Sequence, residues 1–216
     1  MHRQTTGLIL RTRLLTDTSL VVHWLTPDLG RIATVAKGAR SPKSPFRGKL
    51  DLFFTAEFSF LRSRRSDLHI LREINLLNTR EPLRKNLCSL LLAAYGVSLI
   101  EQATESESPL PKIYELFTGL LEALPGEASP KMMVFSWEMK MLEELGMRPN
   151  LSEASLSAGA QQLLHQCLDM RWDQLSILKP SPLQLIELRQ FLHGFLVFHL
   201  GKLPRGRNAA LDAEKL

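Results

Sequence analysis

The sequence contains only two cysteines, Cys88 and Cys167, among its 216 residues. Two cysteines form at most one disulfide, so a disulfide-stapled secreted scaffold is excluded and a reducing compartment is favoured. No stretch of about 18 apolar residues is present, so the sequence predicts no transmembrane helix. The opening residues, MHRQTTGLIL, lack a signal-peptide pattern. We therefore expect a cytoplasmic protein.

The sequence also lacks the short motifs of common catalytic sites. It has no G-x-S-x-G nucleophile elbow, no G-x-x-x-x-G-K-[ST] phosphate loop and no G-x-G-x-x-G fingerprint. His165 and Cys167 are close in sequence, but two potential ligands do not make a structural zinc site, which needs four. We therefore expect no enzymatic turnover, no cofactor and no metal.

Positive charge is abundant and unevenly distributed along the chain. The net charge is +5. Residues 1–80 contain 14 Lys or Arg against 6 Asp or Glu, whereas residues 81–216 contain 13 against 16. This asymmetry predicts that an anionic partner meets the first part of the chain.

Apolar and polar residues alternate along the first 75 residues, with the period of a β-strand. The segment PDLG at 27–30 is typical of a hairpin turn. The pattern predicts five strands, at 6–13, 18–26, 31–37, 50–61 and 68–77. Five strands with short turns and one long connection favour a small closed barrel of the oligonucleotide/oligosaccharide-binding (OB) type.

Beyond Glu81 the apolar spacing changes to three and four residues, which is typical of helices with one buried face. The pattern predicts helices at 81–103, 108–124, 129–146, 157–170 and 181–202. The sequence thus predicts an α+β protein, with a five-stranded OB-fold barrel at 1–78 and an all-helical domain at 79–216.

The long connection between predicted strands 3 and 4 is strongly basic. Residues 37–50 read KGARSPKSPFRGKL, with five cations and no acidic residue. The turn between strands 4 and 5 contains RSRR. We expect both segments to border one groove that follows a phosphate backbone. The candidate residues are Lys37, Arg40, Lys43, Arg47, Lys49, Arg62, Arg64 and Arg65.

Base stacking normally accompanies such a groove. Trp24, Phe46 and Phe53 are candidates for it, because Phe46 lies in the basic connection and Phe53 lies off the main apolar face. Trp24 alternates with Leu20 and Val22, which also fits a position in the barrel core. A solvated loop without a ligand remains an alternative interpretation of the same residues. The barrel is thus a candidate nucleic-acid-binding domain, for DNA or for RNA.

Several segments, in this order, resemble the bacterial recombination mediator RecO family. They are TGLILRTRLLTDTSLVVHWLTPDLGRIATVAKGAR, then SPKSPFRGKLDLFF, DLHILREINLL, MKMLEELGMRPNL and LRQFLHGFLVFHLGK. The resemblance covers most of the chain. It depends on the order and spacing of the segments, since none of them alone is diagnostic.

The resemblance implies an OB barrel joined to a helical domain, and a nucleoid-associated protein that binds single- and double-stranded DNA. It implies annealing of complementary strands and, together with RecR, loading of recombinase onto DNA coated by single-stranded-DNA-binding protein. It also implies binding of that protein's C-terminal tail. The basic residues that match the family are Lys37 and Arg40, followed by Lys43, Arg47 and Lys49.

The sequence departs from the family at one place. Many members carry a four-cysteine zinc site after the segment that matches MKMLEELGMRPNL. Here the following residues contain only Cys167. Because tetrahedral zinc needs four ligands, we expect no structural zinc. An RNA-binding barrel protein of RNA handling or translation remains the alternative function, because a basic groove fits either nucleic acid.

Overall fold

The computed structural model describes residues 2–126 and 128–213. Contacts divide the described chain into two units. The first contains the residues up to Arg80 together with 105–118, and the second contains 81–104 and the described residues from 119 onward.

The described residues of the first unit form five strands. These are β1 (His2–Leu14), β2 (Leu20–Thr26), β3 (Gly30–Ala36), β4 (Thr55–Leu61) and β5 (Leu68–Asn78). They close into a barrel in the order β1-β2-β3-β5-β4, in which β3 and β5 run parallel and the other neighbouring strands antiparallel. The predicted five-stranded OB barrel is confirmed.

Alternate side chains of the strands fill the barrel, as the period-two pattern requires. Trp24 is fully buried and stacks on Phe58, with 3.9 Å between ring centroids. Its indole Nε1 donates a hydrogen bond to Thr34 Oγ1 at 2.9 Å. This bond satisfies a buried polar group, which would otherwise be costly to desolvate.

Strand β4 begins later than the sequence predicts. The predicted strand starts at residue 50, whereas β4 starts at Thr55. Phe53 has a φ of 64°, and its N–H donates to Ile9 O at 2.9 Å. The alternation over residues 50–61 predicts Leu52 on the same apolar face as Phe54 and Phe58. The positive φ breaks this alternation and leaves Leu52 39% exposed, so that predicted placement is wrong.

The segment 105–118 contacts the hairpin between β2 and β3. The N–H of Glu107 donates to Arg31 O at 2.9 Å, and that of Leu110 donates to Pro27 O at 3.2 Å. Gly30 has a φ of 65°, and a Cβ there would lie 1.7 Å from Ser108 O. Glycine is therefore required where the backbone of the hairpin meets the backbone of segment 105–118. No sequence pattern indicated this contact between the two segments.

Seven α-helices follow in the described residues. They are α1 (Glu81–Arg84), α2 (Leu87–Ala103), α3 (Pro111–Ala123), α4 (Pro130–Glu144), α5 (Ala158–Asp169), α6 (Pro182–Leu200) and α7 (Arg207–Leu211). Short 3-10 helices occupy Leu151–Glu153 and Trp172–Ile177. The single helix predicted at 81–103 is divided, because Asn86 caps α2 by accepting a hydrogen bond from Ser89 N at 3.1 Å.

A buried charged group links three of these helices. Arg207 on α7 donates to the Glu138 carboxylate on α4, from Nε at 2.6 Å and from Nη2 at 2.9 Å. Tyr95 on α2 donates a hydrogen bond from its hydroxyl to Glu138 Oε1 at 2.5 Å.

Among the described residues, no helix is both long and apolar enough to cross a membrane.

Candidate nucleic-acid interface

The β3–β4 loop (residues 37–54) is a chain of hydrogen-bonded turns. The backbone N–H groups of Ser41, Ser44 and Arg47 each donate to the carbonyl three residues earlier, at 3.0–3.2 Å. Phe46 is only 7% exposed and belongs to the barrel core. From the sequence we expect this connection to be more mobile than the strand end before it. The sequence does not show that Phe46 is buried and anchors the loop to the barrel.

Backbone-shaping positions support these turns. Gly38 and Gly48 have φ values of 65° and 73°, a region that favours glycine. The Ser44 hydroxyl accepts a hydrogen bond from Phe46 N at 3.2 Å. Ser44 and Gly48 therefore shape the backbone of the loop.

The β1–β2 loop (residues 15–19) is tied to the same end of the barrel. The N–H of Arg40 donates to Thr18 O, and its Nη1 donates to Asp17 O, each at 2.9 Å. Gly38 N donates to Ser19 Oγ at 3.3 Å. The two loops therefore form one continuous surface at this end.

Four of the predicted cations project from this surface, and we call them the basic rim. Each is exposed, and within residues 2–126 and 128–213 none is ion-paired with a carboxylate. Their charges are thus not neutralised by the described part of the protein. The basic rim consists of Lys37, Arg40, Lys43 and Arg47.

Lys49 differs from the basic rim. It is half-buried, and its Nζ donates to Ile74 O on β5 at 3.4 Å. This contact directs the ammonium group toward the barrel wall, so Lys49 has a structural role in addition to its charge.

The β4–β5 turn (residues 62–67) lies away from the basic rim. Leu68 pairs with Ala33 in the parallel β3–β5 ladder. The turn before Leu68 therefore faces the Gly30 end of β3, whereas Lys37 follows its other end. Arg64 and Arg65 are exposed in this turn. The structure does not bring the two predicted basic segments together at one end of the barrel.

Arg62, the first cation of this turn, is already paired. Its Nη2 contacts the Glu107 carboxylate, which comes from segment 105–118. His69 Nε2 lies 3.3 Å from the other oxygen of the same carboxylate. The His69 ring is 3% exposed and stacks on Phe60, with centroids 5.1 Å apart. Burial lowers the pKa of His69, although the adjacent Glu107 opposes this effect.

The proposed stacking residues are not available to bases. Trp24 is 0% exposed, Phe53 4% and Phe46 7%. The expectation that they stack on bases is wrong, because each is part of the packed barrel or of its loop anchor. All Phe and Trp side chains between residues 2 and 80 are buried: Trp24, Phe46, Phe53, Phe54, Phe58 and Phe60.

Sequence reasoning missed three basic residues on the outer face of the barrel. Arg11 pairs with His23, and Arg13 pairs with Val21, opposite the face that contains Trp24. Arg31 pairs with Leu25 on the same outer side of the sheet. Side chains alternate between the two faces of a strand, so Arg31 lies on the same face as Lys37, six residues later. This alternation could have identified the outer face of β3 from the sequence.

Comparisons with known proteins agree with this architecture. Residues 1–80 match the family model "Recombination protein O N terminal", and residues 84–158 match "Recombination protein O C terminal". The chain is 28% identical over 155 residues to DNA repair protein RecO of Exiguobacterium sibiricum. It is 30% identical over 146 residues to that of Bacillus subtilis and 29% over 149 residues to that of Syntrophus aciditrophicus.

These alignments cover 72%, 68% and 68% of this chain. They cover 61%, 56% and 57% of the respective relatives, so the chain matches little more than half of their length. The two family models together span both the barrel and the first part of the helical unit. This chain belongs to the recombination protein O (RecO) family.

Proposed function

We propose that this protein is a DNA repair and recombination mediator that binds single- and double-stranded DNA through the basic rim. The observation that carries the proposal is the set of four exposed cations on an anchored loop, without carboxylate partners in the described chain. Such a surface attracts a phosphate backbone and releases its counterions. In this proposal residues 1–78 are the DNA-binding domain and residues 79–216 the helical domain.

The proposed activity is annealing of complementary strands without enzymatic turnover. Two single strands repel each other through their phosphates, and the basic rim lowers this repulsion by neutralising part of the charge. Lys49, Arg64 and Arg65 contribute further charge at the edges of the barrel. The proposal places the protein in the cytoplasm, associated with the nucleoid.

The proposal includes two protein partners, RecR and the acidic C-terminal tail of single-stranded-DNA-binding protein. An acidic tail needs cations beside apolar helices. The sequence offers five cations of the helical domain as candidates: Lys131, Lys140, Arg148, Lys202 and Arg205. Lys140 is unsuitable, because its Nζ donates to Leu168 O and lies 5.5 Å from the Trp172 ring centroid. Lys202 and Arg205 are exposed near the end of α6 and are better candidates.

A strand-annealing assay on DNA coated by single-stranded-DNA-binding protein tests this function. We expect the wild type to accelerate annealing and a variant with Lys37→Glu, Arg40→Glu and Lys43→Glu to lose most of the acceleration. The matched control changes Lys85, Arg171 and Lys179, exposed cations of the second unit that the proposal places in no binding site, to Glu and has the same net charge. Equal annealing by the rim variant and the wild type contradicts the proposal.

RNA binding is the competing function, because phosphate contacts do not distinguish the two nucleic acids. Competition between DNA and RNA oligonucleotides of matched sequence separates the two. We expect DNA to displace labelled DNA at least as well as RNA does. A strong preference for RNA would instead indicate a role in RNA handling or translation.

A further inference from the structure

A surface cleft of about 320 Å³ opens beside the basic rim. Its apolar wall is formed by Leu20, Phe46 and Leu50, which pack into or against the barrel core. Ser41 also lines the cleft, together with Arg40 and Arg47. The cleft thus combines a rigid apolar wall with two guanidinium groups.

Hydrogen bonds to backbone carbonyls orient both guanidinium groups. Arg40 Nη1 donates to Asp17 O at 2.9 Å, and Arg47 Nη1 donates to Pro42 O at 3.3 Å. A carbonyl does not cancel the charge of a guanidinium group, and each group has five N–H donors. Both residues therefore retain positive charge and further donors for an anionic ligand.

The barrel exposes no aromatic ring on which a base could stack, since Phe46 contributes only its 7% exposed surface to the cleft wall. All six Phe and Trp side chains between residues 2 and 80 are buried. Barrels that bind single strands normally combine a basic groove with exposed aromatic rings, on which bases stack. A base that leaves its stack on this barrel needs a different apolar surface.

We propose that the cleft receives one unstacked base of a single strand, while Arg40 and Arg47 hold the phosphates on either side of it. The inference rests on the proposed nucleic-acid binding and adds a base-binding site to it. A nucleobase is planar, with apolar faces and polar edges, and lies close to charged phosphates. The cleft places an apolar wall beside two guanidinium groups. Its volume is at the small end of ligand pockets, about 300–1,000 Å³, and suits one ring system.

An abasic nucleotide tests the proposal, because it removes one base and keeps every phosphate. The probe is a single strand of about eight nucleotides, close to the site size of one OB barrel, with or without one central abasic position. We expect the wild type to bind the abasic strand about five- to tenfold more weakly, the effect of losing one base contact.

The variant Ser41→Leu extends an apolar side chain into the cleft without a change of charge. We expect it to bind the intact strand about five- to tenfold more weakly than the wild type and to be insensitive to base removal. The matched control Pro45→Leu adds a similar side chain at an exposed position of the same loop that does not line the cleft. This control should retain the wild-type response to the abasic strand.

A second measurement needs no variant. When 2-aminopurine replaces the central base, its fluorescence rises on leaving the stack of neighbouring bases. We expect a rise on binding to the wild type and a smaller rise with Ser41→Leu. Binding that is salt-dependent, but that base removal weakens equally in the wild type and in Ser41→Leu, contradicts the cleft site. That result leaves the proposed function standing. Absence of any oligonucleotide binding by the wild type overturns the proposed function, and the cleft site with it.

Discussion

The carboxylate of Glu107 is paired with the guanidinium of Arg62, so the protein itself neutralises one of the eight cations that the sequence suggests for phosphate binding. Glu107 is placed by the backbone, since its N–H donates to Arg31 O at 2.9 Å. Arg62 and the basic rim therefore have different electrostatic environments, although their sequence context is similar.

We predict unequal effects of two matched substitutions on single-strand affinity. Arg47→Ala removes a charge without a carboxylate partner and should weaken binding about fivefold at low salt, equivalent to about 1 kcal/mol. Arg62→Ala removes a charge that Glu107 already balances and should change affinity less than about twofold. Fluorescence anisotropy with a labelled strand measures both. A larger loss for Arg62→Ala would contradict this electrostatic division.

We predict that the stability of the protein depends on pH through His69. Burial lowers the pKa of His69 below its ordinary value of 6.5, so the unfolded chain takes up a proton at higher pH than the folded chain. Stability should therefore fall as the pH drops below about 6.5 and level off below the folded-state pKa.

The variant His69→Phe isolates this effect, because it preserves a ring beside Phe60 and removes the titrating group. Urea unfolding at several pH values between 7.5 and 5 should show a flatter pH dependence for the variant than for the wild type. Parallel profiles for the two proteins would contradict this role of His69.

We predict that the buried pair of Arg207 and Glu138 is essential for the stability of the helical unit. Both side chains are fully buried. Arg207→Ala leaves the Glu138 carboxylate without its charge partner and should lower the free energy of unfolding by about 3–5 kcal/mol.

The surface pair of Arg171 and Asp173, at 3.2 Å, is the natural control, because its side chains are 80% and 66% exposed. Arg171→Ala should cost less than about 1 kcal/mol, because exposed pairs contribute little. The double variant Arg207→Met with Glu138→Leu should be more stable than Arg207→Ala alone, since it leaves no buried charge. Urea unfolding monitored by circular dichroism compares all three.

We predict that the protein folds without structural zinc. Cys167 is fully buried, and burial raises the pKa of its thiol to about 12, which opposes the thiolate form that binds metal. Cys88 Sγ instead contacts Ala213 O at 3.0 Å. Metal analysis should find far less than one zinc per chain, and a chelator should leave the melting temperature unchanged. Stoichiometric zinc, lost together with stability on chelation, would show the opposite.

The alternating pattern predicted the barrel well, because a strand that buries one face has apolar residues at every second position. Trp24 follows this pattern from the sequence to the core. The pattern failed at Leu52, where the positive φ of Phe53 introduces a turn before β4. Local backbone geometry of this kind leaves no periodic signal.

The candidate site was predicted only in part, because charge is visible in a sequence and partners are not. Lys43 and Arg62 look equivalent along the chain, yet only Arg62 meets a carboxylate from a segment 45 positions away. The sequence suggests base stacking for Phe46 because this residue lies in a basic loop. A sequence does not show whether the ring of a loop phenylalanine is buried or exposed, and in the structure the ring of Phe46 is buried.

The salt dependence of single-strand binding tests the central claim most directly. Each phosphate contact on a single strand contributes about 0.7 to the slope of log affinity against log salt, so the four-residue basic rim predicts a slope of about −3. The variant with Lys37, Arg40 and Lys43 changed to Glu should lose at least about 2 of this slope. The control variant with Lys85, Arg171 and Lys179 changed to Glu should retain the full slope. An unchanged slope and affinity in the rim variant would contradict the account.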